Sequence, residues 1–326
     1  MIAGRILLAT VLAIGFAAAA VGAASAQSYP SKPIKMIVPF PPGGPIDVMG
    51  RLVGDRMSAA LGQNVIIENR PGAGATIGSR AVASAEPDGY TLLFGSSGSL
   101  AVTPALYKNA GYDPIKSFVP IAMVSSGALL LAVHPGLPAR NVKELVEYAK
   151  ANPGKLNYGS GIGTPPHIAW GLFTLTTGTK VVYIPYKGAA PAISDLLSGT
   201  MHMIIDAPGV LIPHIQSGKL RALAVTSPAR IKDLPDVPTM VESGYRDFLM
   251  TFWTGVVAPA GTPAAVVDKV NKAINDGLKS PEMQSKLARF RVEPKPGSPQ
   301  DFGNFIASES KKWAGVIASA GIKVDQ

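Results

Sequence analysis

The chain has 326 residues, 47% of them hydrophobic, with 30 Lys and Arg against 21 Asp and Glu and no cysteine. That length is enough for two α/β lobes, each with its own core, and the lack of cysteine excludes disulfides, thiol chemistry, thiolate metal sites and a lipoprotein anchor. The net charge of +9 is spread along the chain, with Lys311-Lys312 the densest pair; it points to anionic small molecules, polyanions or membrane surfaces, and away from nucleic acid, which calls for basic runs interleaved with aromatics.

In chain order, Arg5 precedes an apolar run over 6–21 that ends in Ala24-Ser25-Ala26, the form of a secretory signal cleaved before Gln27. The run is short for a membrane span and the small-residue site follows it directly. Its removal leaves 300 residues and a charge of +8.

The segment IKMIVPFPPGGPID over 34–47 then pairs an apolar run with a break at Pro41-Pro42-Gly43-Gly44 and a helical pattern from Pro45. Such a strand, turn and helix can make an anion site. Glycine permits positive φ, Pro45 suits the first helical position, and the free N–H groups of the helix start point beyond the strand end. An ordinary strand-to-helix turn has the same pattern. Asp47, third in the helix, can accept N–H bonds from the turn and complement the dipole, or it can pair with the ammonium of an amino-acid ligand.

Strand-like runs follow at 35–38, 65–68, 91–94, 128–133, 182–184, 203–205 and 220–225, alternating with helical periodicity at 46–61, 77–85, 142–151, 168–177, 190–197 and 211–216. This alternation predicts parallel sheets with crossover helices. Asn141 with Glu144 has capping-box spacing. Two extended apolar segments, 118–124 and 251–258, each follow a turn-rich stretch and are candidates for paired strands crossing between lobes. Helices expected at 263–280, 281–290 and 299–320 then cover a sheet formed earlier. Lobe 1 is accordingly expected at 27–124 plus 251–326, and lobe 2 at 125–250.

Five loops after strand candidates share glycine, small hydroxyls and few charges: 41–47, 71–76, 95–99, 159–167 and 185–188. In open parallel sheets ligands bind beyond the carboxyl ends of the strands, so these loops are the expected walls of one site. Their backbone and hydroxyl donors suit carboxylate or phosphate oxygens. Each aligned helix N-terminus adds ~0.3 to 1 kcal/mol for an anion, so converging ones can hold a carboxylate without a buried arginine. Lys187 and Arg80 are the two cations that could join such a site, and the surface reading is preferred for both.

Nucleotide motifs fail, since the glycines at 72, 74 and 78 are one residue too widely spaced for G-x-G-x-x-G and nothing matches a P-loop. Gly95-Ser96-Ser97-Gly98-Ser99 lacks the last glycine of a G-x-S-x-G elbow. His202 and Asp206 fall on one strand face with Ile204 and are not read as a metal pair. Phe252 and Trp253, at the crossover, can either pack the hinge or touch a ligand, whereas Trp170 and Trp313 are read as core. No metal and no cofactor is expected.

The ordered segments YPSKPIKMIVPFPPGGPID, LGQNVIIENRPGAGATIGS, PDGYTLLFGS, YGSGIGTPPH, VVYIPYKGAAPAISDLLSG, DVPTMVESGY and WTGVVAPAGTP carry a resemblance over nearly the whole chain after residue 26. The sequence resembles the extracytoplasmic solute receptors of the tripartite tricarboxylate transporter system, often called Bug proteins. The resemblance implies a type II periplasmic-binding-protein fold, in which two α/β lobes with parallel-rich sheets joined by crossover strands close on a small carboxylate, and it implies no catalysis. Carried over position by position, it implies ligand contacts from Pro42, Gly43, Gly44 and Asp47, then Thr76, then Ser96 and Ser97, then Gly161, Thr164 and His167, and finally Tyr186 and Asp206.

Ile46 stands where a small or hydroxylated residue is common in similar sequences, which leaves room for a longer or more apolar acid. The implied protein is a periplasmic monomer that binds a mono- or dicarboxylic acid, aromatic acids included, and passes it to the permease subunits in the membrane. Two other readings compete with it: a secreted hydrolase using Ser97 or Ser160 with a distant histidine, and a receptor feeding a sensor kinase. No acid, base or nucleophile sits in a motif that supports the hydrolase.

Overall fold

The computed structural model describes residues 29–107, 109–161 and 164–323, so the signal expected at 1–26 lies outside the described residues. The chain begins with β1 (Ile34–Val38), α1 (Pro45–Leu61), β2 (Val65–Asn69), α2 (Thr76–Ala83), β3 (Thr91–Ser96) and a short α3 (Thr103–Leu106). It continues through β4 (Phe118–Ala128), β5 (Leu130–Val133), α4 (Val142–Ala151), β6 (Asn157–Gly161), α5 (Pro165–Thr177), β7 (Val182–Tyr186), α6 (Ala189–Leu197), β8 (Met203–Asp206), α7 (Pro208–Gln216) and β9 (Arg221–Val225). It ends with β10 (Thr251–Pro259), α8 (Ala264–Leu278), α9 (Pro281–Arg289), a two-residue β11 (Glu293–Pro294) and α10 (Pro299–Ala320).

Two sheets result, ordered β11-β4-β10-β3-β1-β2 and β7-β6-β8-β5-β9. Strands β1, β2 and β3 are parallel to one another, as are β6, β7 and β8, whereas β10 runs antiparallel to β3 and β4, and β5 antiparallel to β8 and β9. Both sheets are therefore parallel-rich and mixed, because a strand that leaves one sheet for the other must reverse against its neighbours.

Side-chain alternation buries both faces of each sheet. Met36, Val38, Leu92 and Phe94 face α1 and α8, while Ile37 and Leu93 face the opposite side, toward α2 and α10. Met49, Val53 and Met57 recur every fourth residue on α1, and Gly50 and Gly54 let it lie close on the sheet: a Cβ at Gly54 would stand 3.0 Å from Ile67 Cδ1. In the second sheet Met203 and Ile205 face α5, and Ile204 faces α6 and α7.

Capping fixes several helix starts. The Asn141 side chain accepts the Glu144 N–H at 2.9 Å, and Glu144 reaches back to the Arg140 N–H, one residue before the position a capping box uses. Ser298 and Asp301 form a full capping box on α10.

The crossover is stitched at one place. Thr226, fully buried just after β9, exchanges main-chain hydrogen bonds with Leu129 and with Met250, in which its carbonyl accepts the Met250 N–H at 3.0 Å and its own N–H goes to the Leu129 carbonyl at 2.9 Å. Its Oγ1 accepts the Leu129 N–H at 2.9 Å and donates to the Met250 carbonyl at 2.6 Å. The chain passages through 129, 226 and 250 are thus tied together between the sheets. α10 spans the junction on one side, where Ile322 and Ala320 pack so closely on α5 that a Cβ at Gly171 would lie 2.5 Å from Ile322 Cδ1. One apolar cluster, including Leu93, Phe302 and Trp313 with Leu131, Ile168 and Phe173, runs through that side of both lobes.

Three local expectations change. Gly95 and Ser96 belong to β3, and Ser97 opens a π-helical turn over Gly98–Val102, because Leu100 folds back onto the strand where a Cβ at Gly95 would stand 2.6 Å from its Cδ1. Residues 157–161, counted in part as loop, form β6; a Cβ at Gly159 would stand 2.2 Å from Met201 Sδ, so glycine admits the close approach that the strand needs. Pro185 and Tyr186 likewise end β7.

Thr226→Val keeps the shape of the side chain and removes its hydrogen bonds, leaving the buried Leu129 N–H without its side-chain acceptor. The expected loss is about 1–3 kcal/mol, read as a lower urea midpoint with an unchanged slope.

Candidate ligand-binding cleft

The strand registers set two groups of loops face to face. Ser96, at the end of β3, is level with Thr254, and Thr254 is level with Ser125 near the end of β4. β4 then crosses into β5, whose first residue, Leu130, is level with Asp206 at the end of β8. β6 and β7 end beside it, with Gly161 level with Tyr186. The carboxyl ends of the parallel strands in both lobes therefore point toward the crossover from opposite sides. The helices that follow them, α1 and α2 from one lobe and α5, α6 and α7 from the other, start there too.

The first wall is built around Asp47, which is 2% exposed. Its Oδ2 accepts the Gly43 N–H at 2.8 Å and Arg51 Nε at 3.0 Å, while its Oδ1 accepts Asn69 Nδ2 at 2.8 Å. Arg51, one turn further along α1, completes a salt bridge at 3.0 Å and also donates to Asn69 Oδ1. Gly43 is left-handed at φ 81°, which glycine alone adopts at no cost. Burial by itself would raise the Asp47 carboxyl, but the hydrogen bonds from Arg51, Gly43 and Asn69 outweigh it and hold the group below its ordinary value. Pro42 and Gly43 are exposed and Gly44 half-buried.

The second wall is a run of four left-handed residues, Gly72 (φ 122°), Ala73 (46°), Gly74 (63°) and Ala75 (76°). Each alanine there carries ~1–2 kcal/mol of strain. Thr103 Oγ1 holds the run by donating to the Gly74 carbonyl at 2.8 Å, and the Tyr107 ring covers Gly74. Thr76 follows, buried, as the first residue of α2.

The third wall is Ser96 and Ser97. The Ser96 N–H donates to Ser99 Oγ at 2.9 Å. Ser97 is only 2% exposed, and its Oγ has no hydrogen-bond partner. A buried hydroxyl left in that state costs about 1–3 kcal/mol until a ligand or an ordered water supplies the bond.

In the second lobe, Thr164 Oγ1 donates to the Gly161 carbonyl at 2.7 Å and caps α5 by accepting the His167 N–H. The His167 ring is buried and stacks on Tyr183 with centroids 4.2 Å apart; burial lowers its pKa to about 4. Tyr186 lays its ring on Gly159 and donates to Asp195 Oδ2 at 2.6 Å. The rings of His167 and Tyr186 are thus held by groups of their own lobe. Asp206 is buried at the end of β8, where its Oδ1 accepts the Ala207 N–H at 2.7 Å; burial pushes its pKa up to about 6, with that hydrogen bond opposing.

Trp253 is fully buried and donates to Glu309 Oε2 at 3.3 Å, as does Trp313 at 2.8 Å, so Trp253 packs the crossover. Trp313 is core, whereas Trp170 is half-buried with its Nε1 bonded to the Val181 carbonyl. Lys187 and Arg80 are exposed. His202 accepts the Asn157 N–H and ties β8 to β6. Among the described residues no group of three or more His, Asp or Glu could hold a metal, and no helix is long and apolar enough to cross a membrane.

Arg51 and Asn69 were absent from the sequence-derived site. Arg51 has a readable signal, one helical turn after Asp47. Asn69 reaches the turn only through the pairing of Val38 with Asn69.

Comparison with known proteins identifies the family and the fold. The family model described as "Tripartite tricarboxylate transporter family receptor" matches residues 49–322. The chain is 40% identical over 320 residues to Protein BugT of Bordetella pertussis, covering 97% of this chain and 98% of that protein. Among solved structures it is 35% identical to a protein of R. palustris determined with adipate, at a TM-score of 0.76 over 90% of this chain and 99% of that one. It is 30% identical to MatC from Rhodopseudomonas palustris with bound malate, at a TM-score of 0.74 over 89% of this chain and 100% of that one.

Titration supplies a check on the second lobe. The folded pKa of Asp206, about 6, lies above its ordinary 3.8, so the native state takes up the proton first; its contribution is full below 3.8 and lost as pH rises through 6. His167 acts in the opposite sense, losing stability as pH falls from 6.5 toward 4. Asp206→Asn keeps an acceptor for the Ala207 N–H and removes the buried charge. It should raise stability at pH 8 by on the order of 2–3 kcal/mol, with the gain shrinking below pH 6 and gone near pH 4 in urea titrations.

Proposed function

The chain belongs to the tripartite tricarboxylate transporter receptor family, and on that premise we propose that it captures a small carboxylic acid between its lobes in the periplasm. The family is one of solute receptors, so the chain binds rather than converts. In this reading residues 1–26 are a cleaved secretory signal, and the mature protein is a monomer that delivers its ligand to the permease subunits of the transporter. Its moving parts are residues 27–124 with 251–326, and residues 125–250, a division that the strand pairing supports.

The observation that carries the reading is the buried, unpartnered hydroxyl of Ser97 at the point where the strand ends of both lobes converge. We assign the ligand oxygens to that hydroxyl, to Ser96 and Thr76, to the Gly44 amide, and to Gly161 and Thr164 at the start of α5, while Gly43, whose N–H is taken by Asp47, shapes the turn. Pro42 contributes shape, having no N–H. Asp47, His167 and Tyr186 set the geometry of these loops from behind. Asp206 faces the acid from the second lobe.

Helix N-termini give an anion several partial positive charges without a buried cation. The acids in the two similar structures carry two carboxylates each, which supports a dicarboxylic ligand here. Asp47, already balanced by Arg51, offers no spare charge for a ligand ammonium. An acid without an amino group is therefore the expected class. Closure follows from contacts that the ligand makes with both lobes at once, since only differential affinity shifts such an equilibrium.

In a thermal-shift screen, adipate or malate should stabilise the protein more than benzoate or aspartate does. A ligand at 100 times its Kd gives about 2.7 kcal/mol. Ser97→Ala should weaken binding roughly tenfold or more, as loss of a hydrogen bond to a charged group does. It should leave the ligand-free protein as stable as before, or more stable. If no mono- or dicarboxylate shifts the melting temperature, carboxylate capture is the wrong reading.

A further inference from the structure

Arg291 occupies a left-handed position, φ 58°, one residue past the C-cap of α9. Helices commonly end there on glycine, because a side chain costs energy in that conformation. The Arg291 N–H bonds the Ala288 carbonyl and the Val292 N–H reaches the Leu287 carbonyl, so the turn is a regular helix end made with an irregular residue. Strained backbone that persists in a well-ordered turn is a pointer to a side chain with a task elsewhere.

That side chain crosses between the lobes. Arg291 Nη1 forms an ion pair with Asp233 Oδ1. Asp233 lies in the segment between β9 and β10, whose Ile231, Leu234 and Val237 pack on the apolar cluster of the second sheet. The stem of Arg291 lies against α7 of the same lobe, with Cγ 3.9 Å from where a Cβ of Gly209 would stand. Arg291 itself is anchored to the first sheet, because Glu293 pairs with Ser126 and Pro294 with Ser125 on β4. The hinge strand also leaves room for it: a Cβ at Gly127 would stand 3.1 Å from the Arg291 carbonyl and 2.9 Å from Val292 Cγ1.

Both ends of the contact lie beside the crossover, where β11 borders β4 in the first sheet and α7 follows β8 in the second. Ser126 is near the carboxyl end of β4, and Gly209 is in the first turn of α7, just after Asp206. A pair that spans the lobes there is sensitive to the angle between them.

We propose that Arg291 and Asp233 are a clasp between the lobes, favouring the closed arrangement and so tightening ligand capture without touching the ligand. The clasp rests on the reading that a solute is held by lobe closure. Arg291 is in this sense a positioning residue. Both partners are 37% exposed, so solvent screens the pair and its effect is modest. Breaking it should lower the closed-to-open ratio by about 2- to 5-fold.

The cysteine-free chain allows a direct test. Spin labels at Asp55→Cys on α1 and Lys187→Cys after β7 report the distance between the lobes in the ligand-free protein. Arg291→Gly and Asp233→Asn should each shift the distance distribution toward the open population. The exchanged pair Asp233→Arg with Arg291→Asp should restore it, since aspartate tolerates the left-handed region better than most residues. Arg291→Gly should meanwhile melt no lower than wild type, because glycine relieves the strain; a merely structural arginine would lose stability and leave the distances alone.

Adipate and malate, used as probes, should bind both single variants about 2- to 5-fold more weakly. Distance distributions unchanged in both single variants would overturn the clasp. If the distances shift but neither acid binds the wild type, the clasp stands and the assignment of those ligands falls.

Discussion

Everything in this molecule depends on the tie at Thr226. A chain that crosses between two sheets and back must bury polar backbone at the crossing, and each unpaired group there would cost about 1–3 kcal/mol. Thr226 satisfies the backbone on both sides, bonding Leu129 as the chain crosses and Met250 as it returns. With that point fixed, β4 and β10 enter the first sheet side by side, and β5 and β9 enter the second. The register then carries the order outward, from Ser125 to Thr254 to Ser96 in one lobe and from Leu130 to Asp206 in the other. The facing of the two sets of loops follows from this tie.

The same arrangement joins the lobes unequally. On the α10 side one apolar cluster passes through both, with Trp253 and Trp313 sharing Glu309 at its edge. Close packing of that kind resists shear and gap formation. The loops at the strand ends are linked across the cleft by less, and the Arg291–Asp233 contact is a partly solvated link at its flank. In the proposed closure, a body joined by a dry core on one side and by polar contacts on the other would open on the polar side.

On the proposed reading, an anion is held where the visible charges are acidic. Asp47 is neutralised by Arg51 and spends its oxygens on the Gly43 amide and Asn69, so it shapes the turn rather than repelling a ligand. Asp206 ionises later than a free carboxylate, with a pKa of about 6, because burial disfavours its charge. What remains facing the cleft is a set of helix starts, amides and hydroxyls whose partial positive charge is preorganised by the fold.

Much of this could be read in the chain. The alternation of β-branched runs with periodic segments specified most of the elements, since it records which faces must be buried. The glycine and proline turns marked where helices start, and the ordered segments placed the loops. Reading failed where local pattern and tertiary need part company. Residues 157–161 contain two glycines and look like loop, yet they form a strand because Tyr186 and Met201 take up the space that a side chain would fill.

Gly95 was misread for a similar reason, with Leu100 folding back over the strand. Nothing local marks Arg291, because sequence pattern announces neither a left-handed residue that is not glycine nor an ion pair to a segment some 60 residues earlier. The sequence by itself determined the elements, the loop chemistry and the family, because these depend on residue type and near neighbours. Only the tertiary structure decided that Asp47 is already paired, that the Ser97 hydroxyl is unpartnered and that Arg291 reaches the other lobe, because those facts are set by contacts between residues far apart along the chain.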